Sequence, residues 1–146
     1  MIDHKFIGYE MKPSVLAVDA TRLRFFAKAI GETDPIYFDD AAAKAAGYAA
    51  LPAPPTFLFA GTMDSGAMMD LIATMDVPLG KVLHGEQQFE YLAPVVAGDT
   101  VTITSRVSDI YDKKNGALEF FVTEGTATNQ HGQDVARLRV VTVVRH

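Results

Sequence analysis

The chain predicts an α+β domain in which an antiparallel sheet is wrapped around a long central helix. Apolar residues recur at helical spacing as far as Met75, and from Val82 onward they recur at the spacing of two that belongs to strands. The segment from Thr56 to Met75 is apolar over most of its circumference, so it needs a cover on several sides. The strands that follow have an apolar face that needs covering too, and this helix is the element long and apolar enough to do it.

The elements can be justified in order. From Asp19 to Ile30, Leu23, Phe26, Ala27 and Ile30 recur at helical spacing, with Asp19 or Thr21 placed to cap the free amides and Gly31 to end the helix. Asp34-Pro35 makes a tight turn, and a short Ala-rich helix starts at Asp39 or Asp40. In the Thr56 to Met75 helix, Gly61 and Gly66 each cost roughly 1 kcal/mol relative to Ala, which places them where a strand or another backbone comes close. Met63, Met68, Met69 and Met75 on it are either core filler or the wall of an adaptable acyl tunnel. Four strands follow, from Val82 to Leu92, Thr100 to Tyr111, Leu118 to Asn129 and Asp134 to Arg145. Pro94 and Gly98-Asp99, Lys114-Asn115-Gly116, and His131-Gly132 supply the turns between them. No repeat, low-complexity tract or linker interrupts the chain, so residues 1–146 form a single domain.

Composition narrows the class. A chain of 146 residues with 49% hydrophobic and 21% charged residues fits one compact domain with its own core. Thirteen basic against eighteen acidic residues give −5, without a Lys/Arg run longer than a pair, so a nucleic-acid partner is not expected. The absence of Cys removes thiolate nucleophiles, disulfides and Cys-ligated metals. No apolar run resembles a signal peptide or a membrane span, so no membrane partner is expected and the cytoplasm is the expected location. His4, His84, His131 and His146 lack metal-ligand spacing, and there is neither a phosphate-binding Gly loop nor a nucleophile elbow. Neither a metal nor a cofactor is predicted.

Two long stretches carry a family resemblance: GETDPIYFDDAAAKAAGYAALPAPPTF, ending at Phe57, and VLHGEQQFEYLAPVVAGDTVTITSRV, starting at Val82. The markers DPIYFD, Ala46 to Tyr48, Ala53 to Phe57, Leu83 to Gln87 and Ala97 to Thr100, in that order, resemble the N-terminal-type, FAS1-like domain of the MaoC-like dehydratases. The resemblance covers nearly the whole chain. It implies a hot-dog fold, chains that work in pairs, and hydration or dehydration between trans-2-enoyl and 3-hydroxyacyl thioesters of coenzyme A or acyl carrier protein.

Adding water to an enoyl thioester needs a base on the water, a proton donor to the α-carbon and a donor to the thioester oxygen. The resemblance implies an Asp and, five residues later, a His for the first two tasks. This chain has Glu32 and Tyr37 at those places. A phenol with an ordinary pKa of about 10 cannot share a proton at neutral pH as an imidazole of about 6.5 can. Where the family opens its central helix with His-Gly, this chain has Pro54-Pro55-Thr56, and only the Thr56 amide or hydroxyl is left to meet a thioester oxygen. His84 and Gly85, in LHGEQ, complete the substrate-binding candidates. Plainer readings stand beside each: Glu32 and Asp34 as turn acids, Tyr37 as a packing aromatic, Thr56 as a helix cap, His84 as a structural histidine.

The resemblance and its departures together predict a substrate-binding subunit that pairs with a catalytic MaoC-like subunit carrying the Asp and His. Two alternatives remain open. One is a self-sufficient homodimeric hydratase using Glu32 and Tyr37, and the other a non-catalytic module that binds acyl-CoA or acyl-carrier thioesters.

Overall fold

The structure, a computed structural model, describes residues 1–146. Its sheet has five antiparallel strands: β1 (Ser14–Ala17), β2 (Val82–Tyr91), β3 (Thr100–Lys113), β4 (Leu118–Thr128) and β5 (Asp134–Arg145). They lie in the order β1-β3-β4-β5-β2. The four long strands fall where the alternation places them. β1 corrects the four-strand expectation, pairing Ser14 with Ile103 and Ala17 with Thr100. Its four residues are too few for alternation to register.

The helices are α1 (Ala20–Ala29), α2 (Asp40–Ala45), α3 (Phe59–Asp64) and α4 (Ala67–Thr74). Asp19 caps α1 by accepting from the Arg22 amide at 3.0 Å, and Asp39 caps α2 by accepting from Ala42 at 2.7 Å. The expected continuous helix from Thr56 to Met75 is corrected in two ways. It starts later, at Phe59, and it breaks between α3 and α4, where Gly66 takes the left-handed conformation at φ 72°. The break is tied to the sheet by Ser65, whose Oγ lies 2.6 Å from Ser14 Oγ on β1. Gly61 meets its expectation: a Cβ there would lie 3.0 Å from Ile103 Cδ1 and 3.3 Å from Leu16 Cβ. Gly66 is there for its φ, with open space around it.

The core has two parts. One gathers Leu16, Leu23, Leu51, Phe57, Val101 and Ile103 around α1 and the start of β3. The other packs α4, through Met68, Leu71 and Ile72, against Val107, Phe121 and Val144. Met68 and Met75 are core filler, whereas Met63 and Met69 are exposed. Where the two parts meet, Leu138 of the first and Met11 and Val140 of the second enclose about 10 Å³ with Thr62, Gln87, Ser105 and Thr123. Polar side chains thus line a small space between the two parts. At the far end of the second part lies a buried carboxylate, Glu119, which accepts from the Ile2 amide at 2.8 Å and is hydrogen-bonded to His146 Nε2 at 2.9 Å.

Candidate functional site

Helix ends place the acidic and phenolic groups of the loop. α1 closes with Gly31 at φ 79°, and the Glu32 amide reaches back to the Ala27 carbonyl at 2.9 Å. α2 closes in the same way, with Gly47 at φ 95° and the Tyr48 amide on the Ala43 carbonyl at 3.0 Å. Each is the 6→1 bond of a Schellman motif, so Glu32 and Tyr48 are fixed as the residues that follow a C-terminal glycine. Between them the chain makes a single 3₁₀ turn, Pro35–Tyr37, which Asp34 caps by accepting from the Ile36 amide at 3.1 Å. Arg24 latches the loop to α1, donating from Nε to the Phe38 carbonyl and from its guanidinium to Asp40, both at 2.9 Å.

These devices bring Tyr37 into a cluster. Burial pushes the Tyr37 hydroxyl up from the ordinary phenol range, and the charges of Glu32, Tyr48, Asp34 and Tyr91 add to the rise. The charge of Glu32, the partner expected from the sequence, thus reaches Tyr37, as do those of two further phenols, Tyr48 and Tyr91. Neither was legible as a site residue: Tyr91 comes from the end of β2, and only the fold brings it to the loop.

Tyr91 also answers for Thr56. The Thr56 amide donates to the Tyr91 hydroxyl at 2.8 Å, and Thr56 sits at φ 74°. A left-handed conformation is a genuine outlier for a β-branched residue and is held only where the surroundings over-determine it. Here the two preceding prolines and buried Phe57 fix the chain on either side. Thr56 is not the cap of the central helix; its strained backbone aims an amide at a half-exposed phenol.

Thr56 lines a cleft of about 510 Å³ with Phe26, Phe59, Met63, His84 and Phe89. A bulge in β2 supplies two of these. The β2–β5 register shifts between His84 and Glu86, so that His84 (opposite Thr142), Gln87 (opposite Val140), Phe89 (opposite Leu138) and Tyr91 (opposite Ala136) all face inward. Without the extra residue, His84 and Gln87, three apart, would point to opposite faces. Gly85 is what the bulge requires: a Cβ there would lie 2.8 Å from Val143 Cγ2 and 3.0 Å from the Val141 carbonyl. Gly85 packs on β5, and the residue that it delivers to the cleft is His84. The His84 ring stacks on Phe59, with centroids 5.3 Å apart and planes at 10°, and no carboxylate pairs with it.

A larger hollow of about 900 Å³ lies mainly over the alternate residues of the strands. Arg106, Arg137 and Arg139 are balanced there by Glu10, Glu90 and Glu124, and no imidazole lines it. Of the candidate residues, Thr56 and His84 line the smaller cleft, and the Thr56 amide ties it to Tyr91 of the phenol group. No helix of the structure is long and apolar enough to cross a membrane, and no group of His, Asp and Glu side chains has the geometry of a metal site.

A curled antiparallel sheet around helical segments, with a loop of acid and phenol groups beside an apolar cleft, defines a hot-dog domain of the dehydratase and hydratase class. Residues 5–138 match the family of FAS1-like dehydratase domain regions, and the chain belongs to that family. It is 39% identical over 110 residues to a UPF0336 protein of Streptomyces avermitilis, covering 75% of this chain and 73% of the relative. With a UPF0336 protein of Thermobifida fusca the identity is 33% over 146 residues, covering 99% and 94%. Among solved structures, the C-terminally truncated 3R-hydroxyacyl-ACP dehydratase complex HadBC of Mycobacterium tuberculosis superposes with a TM-score of 0.81 at 27% identity, covering 94% of this chain and 96% of that one.

Proposed function

We propose that this chain is the substrate-binding half of an acyl-thioester hydratase or dehydratase whose acid-base pair comes from a sister subunit. The observation that carries the reading is Tyr37: at the place where an imidazole would share a proton with a carboxylate, the chain presents a phenol held protonated beside Glu32. A neutral phenol can donate a hydrogen bond to a bound ligand, but it is a poor base at neutral pH. The resemblance to HadBC, itself a complex of a 3R-hydroxyacyl-ACP dehydratase, supports assembly with a different chain.

In this reading the acyl group of a coenzyme A or acyl-carrier thioester lies against Phe26, Phe59, Met63 and Phe89. The carbonyl comes to the Thr56 amide, which has no intrahelical partner and is already held by an exchangeable hydroxyl. The sister's carboxylate and imidazole then move the water proton and protonate the α-carbon. His84, flat on Phe59, serves as cleft wall.

The test is hydration of crotonyl-CoA by the purified chain alone, by its Glu32→Gln variant, and by the chain mixed with a MaoC-like subunit carrying the Asp and His. The reading expects no turnover alone, turnover in the mixture, and little change on Glu32→Gln in the mixture. Turnover by the chain alone that falls by about 10²-fold or more in Glu32→Gln would establish the self-sufficient enzyme instead. Saturable binding without turnover in any mixture would leave a binding module.

A further inference from the structure

Gln87 stands apart from the other cleft residues. Its Oε1 is the one buried side-chain polar atom that lacks a hydrogen-bond partner. The orientation of the amide follows from its only contact: Nε2 donates to the Gln88 carbonyl at 3.4 Å, and a carbonyl can only accept, so the oxygen must face the other way. A lone buried acceptor is costly, and such groups in a well-formed core call for an explanation.

The place of Gln87 supplies one. It lines both the apolar cleft and the small polar space beneath it, so it forms the floor between them. The cleft above it is lined by Phe26, Phe59 and Phe89, which cannot satisfy an acceptor, and by Thr56 and His84, neither of which bonds to Oε1. Thr62, Ser105 and Thr123 surround the space below, yet no hydroxyl among them is within hydrogen-bonding reach of Oε1. The Nε2 contact is long, and the terminal amide torsion of Gln is broad, so the amide can swing its oxygen toward a group in the cleft at little cost.

We infer that Gln87 is a specificity-determining residue which selects an acyl group carrying a hydrogen-bond donor on its chain, such as a hydroxyl remote from the thioester. The inference rests on the reading of the cleft as an acyl-thioester site. Thr56, whose amide is the donor offered to the thioester carbonyl, lines the same cleft, whereas Gln87 lies on its floor, so the donor that it reads is a feature of the acyl chain and not of the thioester. A site built to hydrogen-bond a substrate group rejects the analogue lacking it far more strongly than an apolar pocket rejects an added hydroxyl.

The experiment compares binding of hexanoyl-CoA, 6-hydroxyhexanoyl-CoA and 6-methoxyhexanoyl-CoA to the full chain by calorimetry, together with the shorter pair butyryl-CoA and 4-hydroxybutyryl-CoA. The hydroxylated chain of at least one length should bind about tenfold or more tightly than its plain counterpart. The methoxy compound, which keeps the oxygen but has no donor, should lose that gain. In Gln87→Met, of similar shape and without the acceptor, the preference should vanish while the plain chain binds as well or better.

Plain and hydroxylated chains binding alike to the natural chain would overturn the inference and leave the acyl-thioester reading standing. A preference retained by the methoxy compound, or by Gln87→Met, would also overturn it. Failure of every thioester to bind would instead remove the reading on which it rests. The methoxy comparison needs no substitution, so the test holds even if Gln87→Met does not fold.

Discussion

At Tyr37 burial and neighbouring negative charge act in the same direction, both favouring the neutral phenol, and they can be separated by one substitution. Glu32→Gln removes one of the contributing charges and leaves the burial, so the Tyr37 titration should move down towards the ordinary phenol value without reaching it. Site-resolved NMR of labelled tyrosines measures this, and a titration unmoved by the substitution would place Glu32 too far away to act. The same rise carries a stability consequence. A group whose folded pKa is raised contributes stability that is complete below the unfolded value, about 10, and that fades as pH climbs through the folded value. Denaturant midpoints should therefore fall more steeply in alkali for the natural chain than for Tyr37→Phe, the two differing by a constant at lower pH. Glu32 and Tyr37 were candidates because each falls at a motif position. Tyr48, Tyr91 and Gln87 were not, since their roles depend on which residues the fold sets opposite them, and the contact between Thr56 and Tyr91 spans 35 positions.

Glycines govern the elements, by two mechanisms that predict different substitution patterns. Gly66 breaks the central helix through its left-handed φ of 72°, with nothing within 4 Å of a Cβ built on it. Gly66→Ala should cost about 1–2 kcal/mol, and Gly66→Asn less, because Asn tolerates that region. Gly125 in β4 has an ordinary φ but no room: a Cβ there would collide with Ser105 Oγ and lie 2.8 Å from the Thr104 carbonyl. Asn should be no better than Ala at that position, and each should cost more than Gly66→Ala, because the β3–β4 pairing itself must give. Chemical denaturation of the four variants checks the contrast, and an equal rank order at both sites would refute it. The same distinction explains the limits of the sequence. The four long strands were legible to within two residues because alternation and turn residues agree, as at Lys114-Asn115-Gly116, where all three residues have positive φ. The break at Gly66 was hidden because Met63, Ala67 and Met68 continue the apolar pattern through it, and periodicity records which residues are buried, not whether the backbone is continuous.

For the molecule as a whole, the sheet has two edges of unequal kind. β1, four residues long, is a short edge, whereas β2 presents ten residues with one side unpaired. A long open edge is a template for pairing with another chain unless something blunts it, and here Leu83, Tyr91 and Leu92 on or beside that strand are 44%, 50% and 43% exposed. The same strand supplies His84, Gln87 and Phe89 to the cleft, so a partner seated along β2 would place its own side chains beside that cleft. That is what a divided active site requires, and it argues that assembly and activity stand or fall together. Leu83→Lys with Leu92→Lys puts charges on the edge while touching neither core nor cleft, as neither residue is buried or lines the cavity. Analytical ultracentrifugation should show a folded single chain, with circular dichroism unchanged, in place of the pair. Turnover in the mixture with a catalytic sister should fall in proportion to the lost association. Association left intact by the two lysines would exclude the β2 edge, and the cleft would then have to be completed from another side.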